Sequence, residues 1–189
     1  MVLDGTSLDI DIEEVFESAF SGSSEQIQQK RIFIEWANGT YTLHSGNIHT
    51  KVSFKNGFAH GVSVNMHNGL EVIRRTYMDG FLHGLFTYVD GEQKFEGHFK
   101  EGKPNGPFAF KESDMKVMII FKEGKADGPF TYDMNGKKGV AGTFRDGKLM
   151  TAVGWKPNGE KCPETNVVDG NGVMVVYKGD GTVRDRQIY

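Results

Sequence analysis

A phrase of the form aromatic–x–acidic/Asn–Gly–x–x–x–Gly recurs every 22 or 23 residues, and that period restricts the chain to a stack of similar supersecondary units. It reads Phe54-Lys-Asn-Gly57-Phe-Ala-His-Gly61, then Tyr77-Met-Asp-Gly80-Phe-Leu-His-Gly84. Phe99-Lys-Glu-Gly102-Lys-Pro-Asn-Gly106 and Phe121-Lys-Glu-Gly124-Lys-Ala-Asp-Gly128 follow, with a partial copy at Phe144-Arg-Asp-Gly147-Lys. The 25 glycines fall at fixed offsets in this period, which makes them turn residues rather than low-complexity filler.

A second turn divides each interval between phrases: Asn68-Gly69, Asp90-Gly91, Ser113-Asp114 and Asn135-Gly136. Asn-Gly and Asp-Gly tolerate the positive φ of tight hairpin turns, so each repeat reads as strand, tight turn, strand, then a glycine-bounded loop. Apolar residues alternate on both sides. Leading strands place Phe86/Tyr88, Phe108/Phe110 and Phe130/Tyr132 in matched phase. Trailing strands place Phe95/Gly97/Phe99, Val117/Ile119/Phe121 and Val140/Gly142/Phe144 likewise. Rows of rings stacked from hairpin to hairpin are expected, with Gly97 and Gly142 leaving room beside them. Val62, Val64 and Met66 run in the opposite phase, with Ser63 and Asn65 where rings belong, which predicts a bulge or shifted register.

The period extends loosely to residues 32–53 and resumes at Gly172. Between about 148 and 171 it is interrupted by Trp155-Lys-Pro-Asn-Gly159, read as a strand entering an Asn-Gly turn, and by an inserted loop containing Pro163. The expected fold is therefore all-β: an elongated, right-twisted single sheet of stacked antiparallel hairpins, about twelve to fourteen strands, over residues 31–189. Residues 1–30 differ in kind. Ile12, Val15, Phe16, Ala19 and Phe20 follow helical spacing behind Asp11, predicting a short capping helix near 11–21 and a linker before a first strand at 31–36.

Charge is unevenly placed. The formal net charge is −3, yet residues 1–30 alone carry −6 and the remainder +3. That balance is too mild for a dedicated nucleic-acid or anionic-membrane binder, which calls for a concentrated basic stripe. Cys162 is the only cysteine, so no internal disulfide forms and a reducing, cytoplasmic setting is expected. The acidic N-terminus does not resemble a signal peptide, and no apolar run reaches the length of a membrane span.

No catalytic constellation emerges. His60 and His83 share a repeat position with Asn105 and Asp127, residues that tolerate left-handed backbone, so conformation rather than metal binding accounts for the set. Asp169-Gly-Asn171-Gly172 lacks the later ligands of a calcium loop and reads as a turn. Cys162, beside Lys161 and before Pro163, reads as an inert loop cysteine. Neither a nucleophile elbow nor a phosphate-cradling glycine loop occurs. No cofactor and no metal are expected.

The phrase aromatic–Lys–Asp/Glu–Gly–Lys–x–Asn–Gly–Pro–Phe–x–Tyr–x–x–Asn–Gly resembles the MORN repeat, and more closely the variant repeats of the bacterial YwqK-like antitoxin family. Residues 54–148 carry the resemblance, and Trp155 to Gly172 resembles the tail repeat of such proteins. The resemblance implies a non-enzymatic scaffold for protein–protein contact, of antitoxin or immunity type, with a toxin as the implied partner. From the residues themselves, Tyr88, Phe110 and Tyr132, with Trp155 at the edge, are the expected partner-binding set, since exposed aromatic rows suit contact surfaces. Phe99, Phe121 and Phe144 are expected to pack between repeats. The alternative function is a membrane-lipid or glycan surface-binding module.

Overall fold

A computed structural model describes residues 37–45 and 47–189; the expected helix near 11–21 and strand at 31–36 lie outside them. Among the described residues, fifteen strands form one antiparallel sheet. They are β1 (Gly39–Ser45), β2 (Ile48–Lys55), β3 (Phe58–Ala59), β4 (Gly61–His67), β5 (Leu70–Met78), β6 (Phe81–Asp90), β7 (Gln93–Lys100) and β8 (Lys103–Glu112). Then come β9 (Met115–Lys122), β10 (Lys125–Met134), β11 (Lys137–Arg145), β12 (Lys148–Trp155), β13 (Lys161–Val168), β14 (Asn171–Tyr177) and β15 (Val183–Ile188). Spatial order follows chain order, except that the two-residue β3 pairs only with β2.

The repeated phrase builds a turn where a loop was expected. Asn56, Asp79, Glu101, Glu123, Asp146 and Asp169 all hold φ of 50–51°, and the glycine after each is also positive. Two successive positive-φ residues make the tight hairpin turn whose twist matches its flanking strands. Both ends of every central hairpin are therefore tight, and consecutive hairpins merge into an unbroken meander. The second glycine of the phrase lies inside the following strand. Gly84, Gly106 and Gly128 hold φ of 86°, 113° and 130°, and register shifts between Ala126 and Phe130 as the strand bulges around Gly128. His60, His83, Asn105 and Asp127 precede these bulge glycines and are not left-handed; the left-handed position is that of the acid or Asn in the turn.

The turns on this edge are tied together. The amide of each turn glycine donates to a carbonyl one repeat earlier: Gly80 to Ala59, Gly102 to Leu82, Gly124 to Pro104 and Gly147 to Ala126, each at 2.8 Å. Asn105 Oδ1 also accepts from the Glu123 amide at 3.2 Å, and Asn38 Oδ1 from the Asn56 amide at 3.4 Å. At Asn38 and Asn105 the residue before the bulge glycine thus reaches the next turn.

One extra residue explains the two period lengths. The 23-residue repeats, Gly57 to Gly80 and Gly124 to Gly147, contain β4–β5 and β10–β11. Each of these hairpins has a register shift near its tip, after Asn65 and after Tyr132 respectively. The 22-residue repeats contain β6–β7 and β8–β9, which pair without interruption.

One face of the sheet carries the rings. Tyr88 pairs with Phe95, Phe95 with Phe110, Phe110 with Val117, and Val117 with Tyr132, forming a row across five strands. Beside it runs Phe86, Gly97, Phe108, Ile119, Phe130 and Gly142. Rings meet edge-on or tilted at 4.8–5.5 Å between centroids for Phe86–Phe95, Phe95–Phe108, Phe99–Phe108 and Phe108–Phe121. The glycines make room, as expected: a Cβ on Gly97 would lie 2.6 Å from the Phe108 ring, and one on Gly142 2.7 Å from Phe130. Phe86, Phe95, Phe108 and Phe130 are buried.

Ser63 and Asn65 occupy the ring positions of β4 in the phase of the later repeats, and the expected register shift follows between Asn65 and Met66. Further along, Pro163 is not in a loop. It lies in β13, which bulges between Cys162 and Asn166 against β12.

Candidate interaction surface

The four expected contact residues are divided between the two faces. Tyr88 and Phe110 stand on the ring face, half-buried and packed against the core. Tyr132 is 7% exposed. Arg184 of β15 donates to its hydroxyl at 3.3 Å and lies 3.1 Å from Met115 Sδ, so the C-terminal end of the sheet bends back over β9 and β10. Among the packing residues, Phe99 and Phe121 are buried and Phe144 is half-buried. Tyr88 pairs directly with Phe95, so the leading- and trailing-strand aromatics stand in one layer on the same face.

Trp155 turns the other way. It follows Gly154, which pairs with Val140 on the ring face, so alternation places the indole on the opposite face. The Lys138 ammonium sits 5.9 Å from the centre of its ring, within cation–π range. A shallow cleft between hairpin turns adjoins it, lined by Met134, Asn135, Lys137, Trp155, Pro157 and Tyr177. Lys137 Nζ donates to the Pro157 carbonyl at 2.9 Å across the cleft.

Beside the cleft, Cys162 is fully buried, with Sγ 3.4 Å from the Tyr177 hydroxyl. Burial works to raise its pKa, but hydrogen bonds with Tyr177 and Thr165, and from the Thr165 and Glu164 backbone, bring the thiol below its ordinary value. The same contact with Cys162, assisted by burial, pushes Tyr177 up to about 12. A thiol closed off from solvent in this way packs rather than reacts. Thr165 is equally enclosed; its hydroxyl bonds both the amide and the carbonyl of Val175 and ties the β13 bulge to β14.

At the other end, Ser63 and Arg75 are buried polar residues paired in register on the ring face, and Arg75 Nη2 donates to Asn65 Oδ1 at 3.0 Å. This polar patch replaces three ring-face positions at once; the period marks Ser63 and Asn65 as out of pattern but not Arg75. Among the described residues, no group of three or more His, Cys, Asp or Glu is placed to hold a metal ion.

The face opposite the rings exposes apolar side chains. Val62, Leu85, Val89 and Met118 are 36–45% exposed there, distributed over β4, β6 and β9. The alternation that identified the rings also assigns these residues to the other face, so the signal was present in the sequence. No family model matches the sequence, and no curated protein matches it.

Proposed function

We propose that this chain is a non-enzymatic repeat scaffold that mediates protein–protein contact, of the antitoxin or immunity type implied by its resemblance to MORN-variant and YwqK-like repeats. The observation that carries the proposal is the exposed face: Val62, Leu85, Val89 and Met118 stay in solvent on a broad sheet whose ring face is packed. Apolar side chains grouped on one face of a soluble sheet are a contact surface when a partner removes them from water. Trp155, on the same face and half-exposed, supplies the large anchoring side chain such surfaces favour. The contact surface is accordingly this face, with Tyr88, Phe110 and Tyr132 holding the sheet behind it.

The test is affinity capture with the full chain and with Met118→Glu. Reproducible capture of one partner, lost in Met118→Glu while the circular dichroism spectrum stays the same, is the expected result. A wild-type chain that captures nothing reproducibly would overturn the proposal.

A further inference from the structure

Next to the tips of the central hairpins, one row of residues crosses the exposed face over eight strands. Val89 pairs with Lys94, Lys94 with Lys111, Lys111 with Lys116, Lys116 with Asp133, and Asp133 with Lys138. Lys138 reaches over Trp155, and Trp155 pairs with Lys161. Directly paired residues of antiparallel strands share a face, so five lysines and one tryptophan stand in line with a single acid among them. All five lysines are exposed. Among the described residues none of them is in an ion pair.

This arrangement works against folding. Like charges directly opposite one another across strands are destabilising, and Lys94, Lys111 and Lys116 form two such pairs in succession. In a chain whose net charge is −3, five aligned lysines are a local concentration that the overall balance conceals. An opposing charge supplied from outside would relieve the repulsion.

The row is also narrow. The hairpin tips beside it are acidic, with Glu92 held by Ser113 and Glu112 held by Gln93, and Glu96 stands one position inward from Lys94. A planar anionic membrane or a nucleic-acid duplex would press against these acids as well as the lysines. An extended polypeptide is one strand wide. Its alternate side chains are spaced about 6.8 Å apart on one edge, against about 4.8 Å between neighbouring strands, so carboxylates at alternate positions stay within reach of successive long, flexible lysines.

We infer that the row Lys94, Lys111, Lys116, Lys138 and Lys161, ending at Trp155, binds an extended acidic segment of a protein partner. This rests on the protein-contact reading above and gives that contact its chemistry. The acidic segment runs across the strands along the row, and an apolar residue of the segment packs on Trp155.

The experiment measures fluorescence anisotropy of a labelled peptide of alternating Glu and Thr with one Leu, titrated with the full chain at low and high salt. Saturable binding that weakens with salt is expected. Lys111→Glu should weaken it about tenfold, because one attraction is lost and a repulsion added, and the same variant should melt at an unchanged or higher temperature. Lys111→Gln should fall between the two. Lys100→Glu removes the same charge from an exposed site outside the row and should change affinity less than about twofold. No binding at low salt, or equal losses in Lys100→Glu and Lys111→Glu, would overturn the inference. Tighter binding to phosphatidylserine vesicles or to oligo-dT than to the peptide would overturn it as well. If the peptide fails while partner capture persists, the protein-contact reading survives without this row; if capture fails, that reading falls independently.

Discussion

Hairpins β4–β5 and β10–β11 belong to repeats of the same length and share an Asn-Gly tip and a register shift beside it, yet their ring-face residues have almost nothing in common. In β10–β11 the face is Phe130 over Gly142 and Tyr132 beside Val140; in β4–β5 it is Ser63 opposite Arg75 and Asn65 beside Ile73. The backbone is therefore specified by the glycines, the left-handed acid or Asn of each turn and the length of the repeat, independently of what stands on the face. The face residues determine how strongly each hairpin is held once formed. This separation allows a stack of hairpins to vary its surface without losing its shape.

The sharpest way to break the comparison is to remove the side chain from equivalent face positions. Phe108 is 4% exposed and touches three other rings, so Phe108→Ala should lower stability by about 3–5 kcal/mol. Ser63 is just as buried, but Ser63→Ala deletes only a hydroxyl and should cost less than about 1 kcal/mol. Both are read from urea denaturation midpoints. Equal losses would mean that the frame and the face are not separable.

A second test exchanges the small residue for a larger one. Arg75 on β5, Gly97 on β7, Ile119 on β9 and Gly142 on β11 are equivalent positions, and each of the two glycines lies directly against a phenylalanine ring. Gly97→Val would put a Cβ 2.6 Å from the Phe108 ring and should cost about 1–3 kcal/mol. Combining Gly97→Val with Phe108→Ala should cost less than the sum of the two, because the second change removes the obstacle met by the first. Strict additivity in the double mutant would show that ring and glycine do not share the space.

Turn chemistry was the most legible layer of this fold. Asn-Gly and Asp-Gly identified the tips, and alternation identified the ring face, because both are local properties of a few adjacent residues. The phrase turns differ from the expected glycine-bounded loops: Glu101 and Glu123 hold left-handed backbone, and the hydrogen bond from each following glycine to the preceding repeat, joined at Glu123 by the Asn105 side chain, ties them there. Ser63 and Asn65 stand out in the sequence as polar residues at ring positions, and the register shift expected there is present after Asn65; that Arg75 is the buried partner of both emerges only from the pairing of β4 with β5. The lysine row was hidden for a different reason. Lys94, Lys111, Lys116, Lys138 and Lys161 are scattered along the chain and become neighbours only when every hairpin is folded in register, so a chain judged too mildly charged for a basic stripe nevertheless contains one. Trp155 is expected at the edge of the set formed by Tyr88, Phe110 and Tyr132, whereas its parity relative to Gly154 places it on the other face.

Within the polar patch, Asn65 is the acceptor for a buried guanidinium. Asn65→Ala leaves Arg75 Nη2 without that oxygen in an enclosed setting, at an expected cost of about 1–3 kcal/mol. The equivalent ring-face change in the other hairpin, Tyr132→Phe, removes a hydroxyl reached by a side chain from the last strand and should cost no more than about 1 kcal/mol. Similar losses at the two sites would argue that Arg184 secures the bent C-terminal end as firmly as Arg75 is held in the N-terminal hairpin.

The smallest effect tests the turn ladder. Asn105 Oδ1 accepts from the Glu123 amide at 3.2 Å, but the bond is exposed and water can replace it, so Asn105→Ala should cost only about 0.5–1 kcal/mol. Hydrogen exchange separates the two bonds at this turn. The Glu123 amide should exchange faster in Asn105→Ala, while the Gly124 amide, which donates to the Pro104 carbonyl at 2.8 Å, should keep its protection. At the matching position before β4, His60 faces the Asp79 carboxylate at 3.5 Å, in a pair whose side chains are 39% and 69% exposed. Solvent screens such a pair, and His60→Ala should shift stability by less than about 0.5 kcal/mol. If Asn105→Ala also released the Gly124 amide, the side-chain contact and the backbone contact would be one cooperative unit, and the glycine ladder could not be what holds the left-handed turns independently of the residue before the bulge.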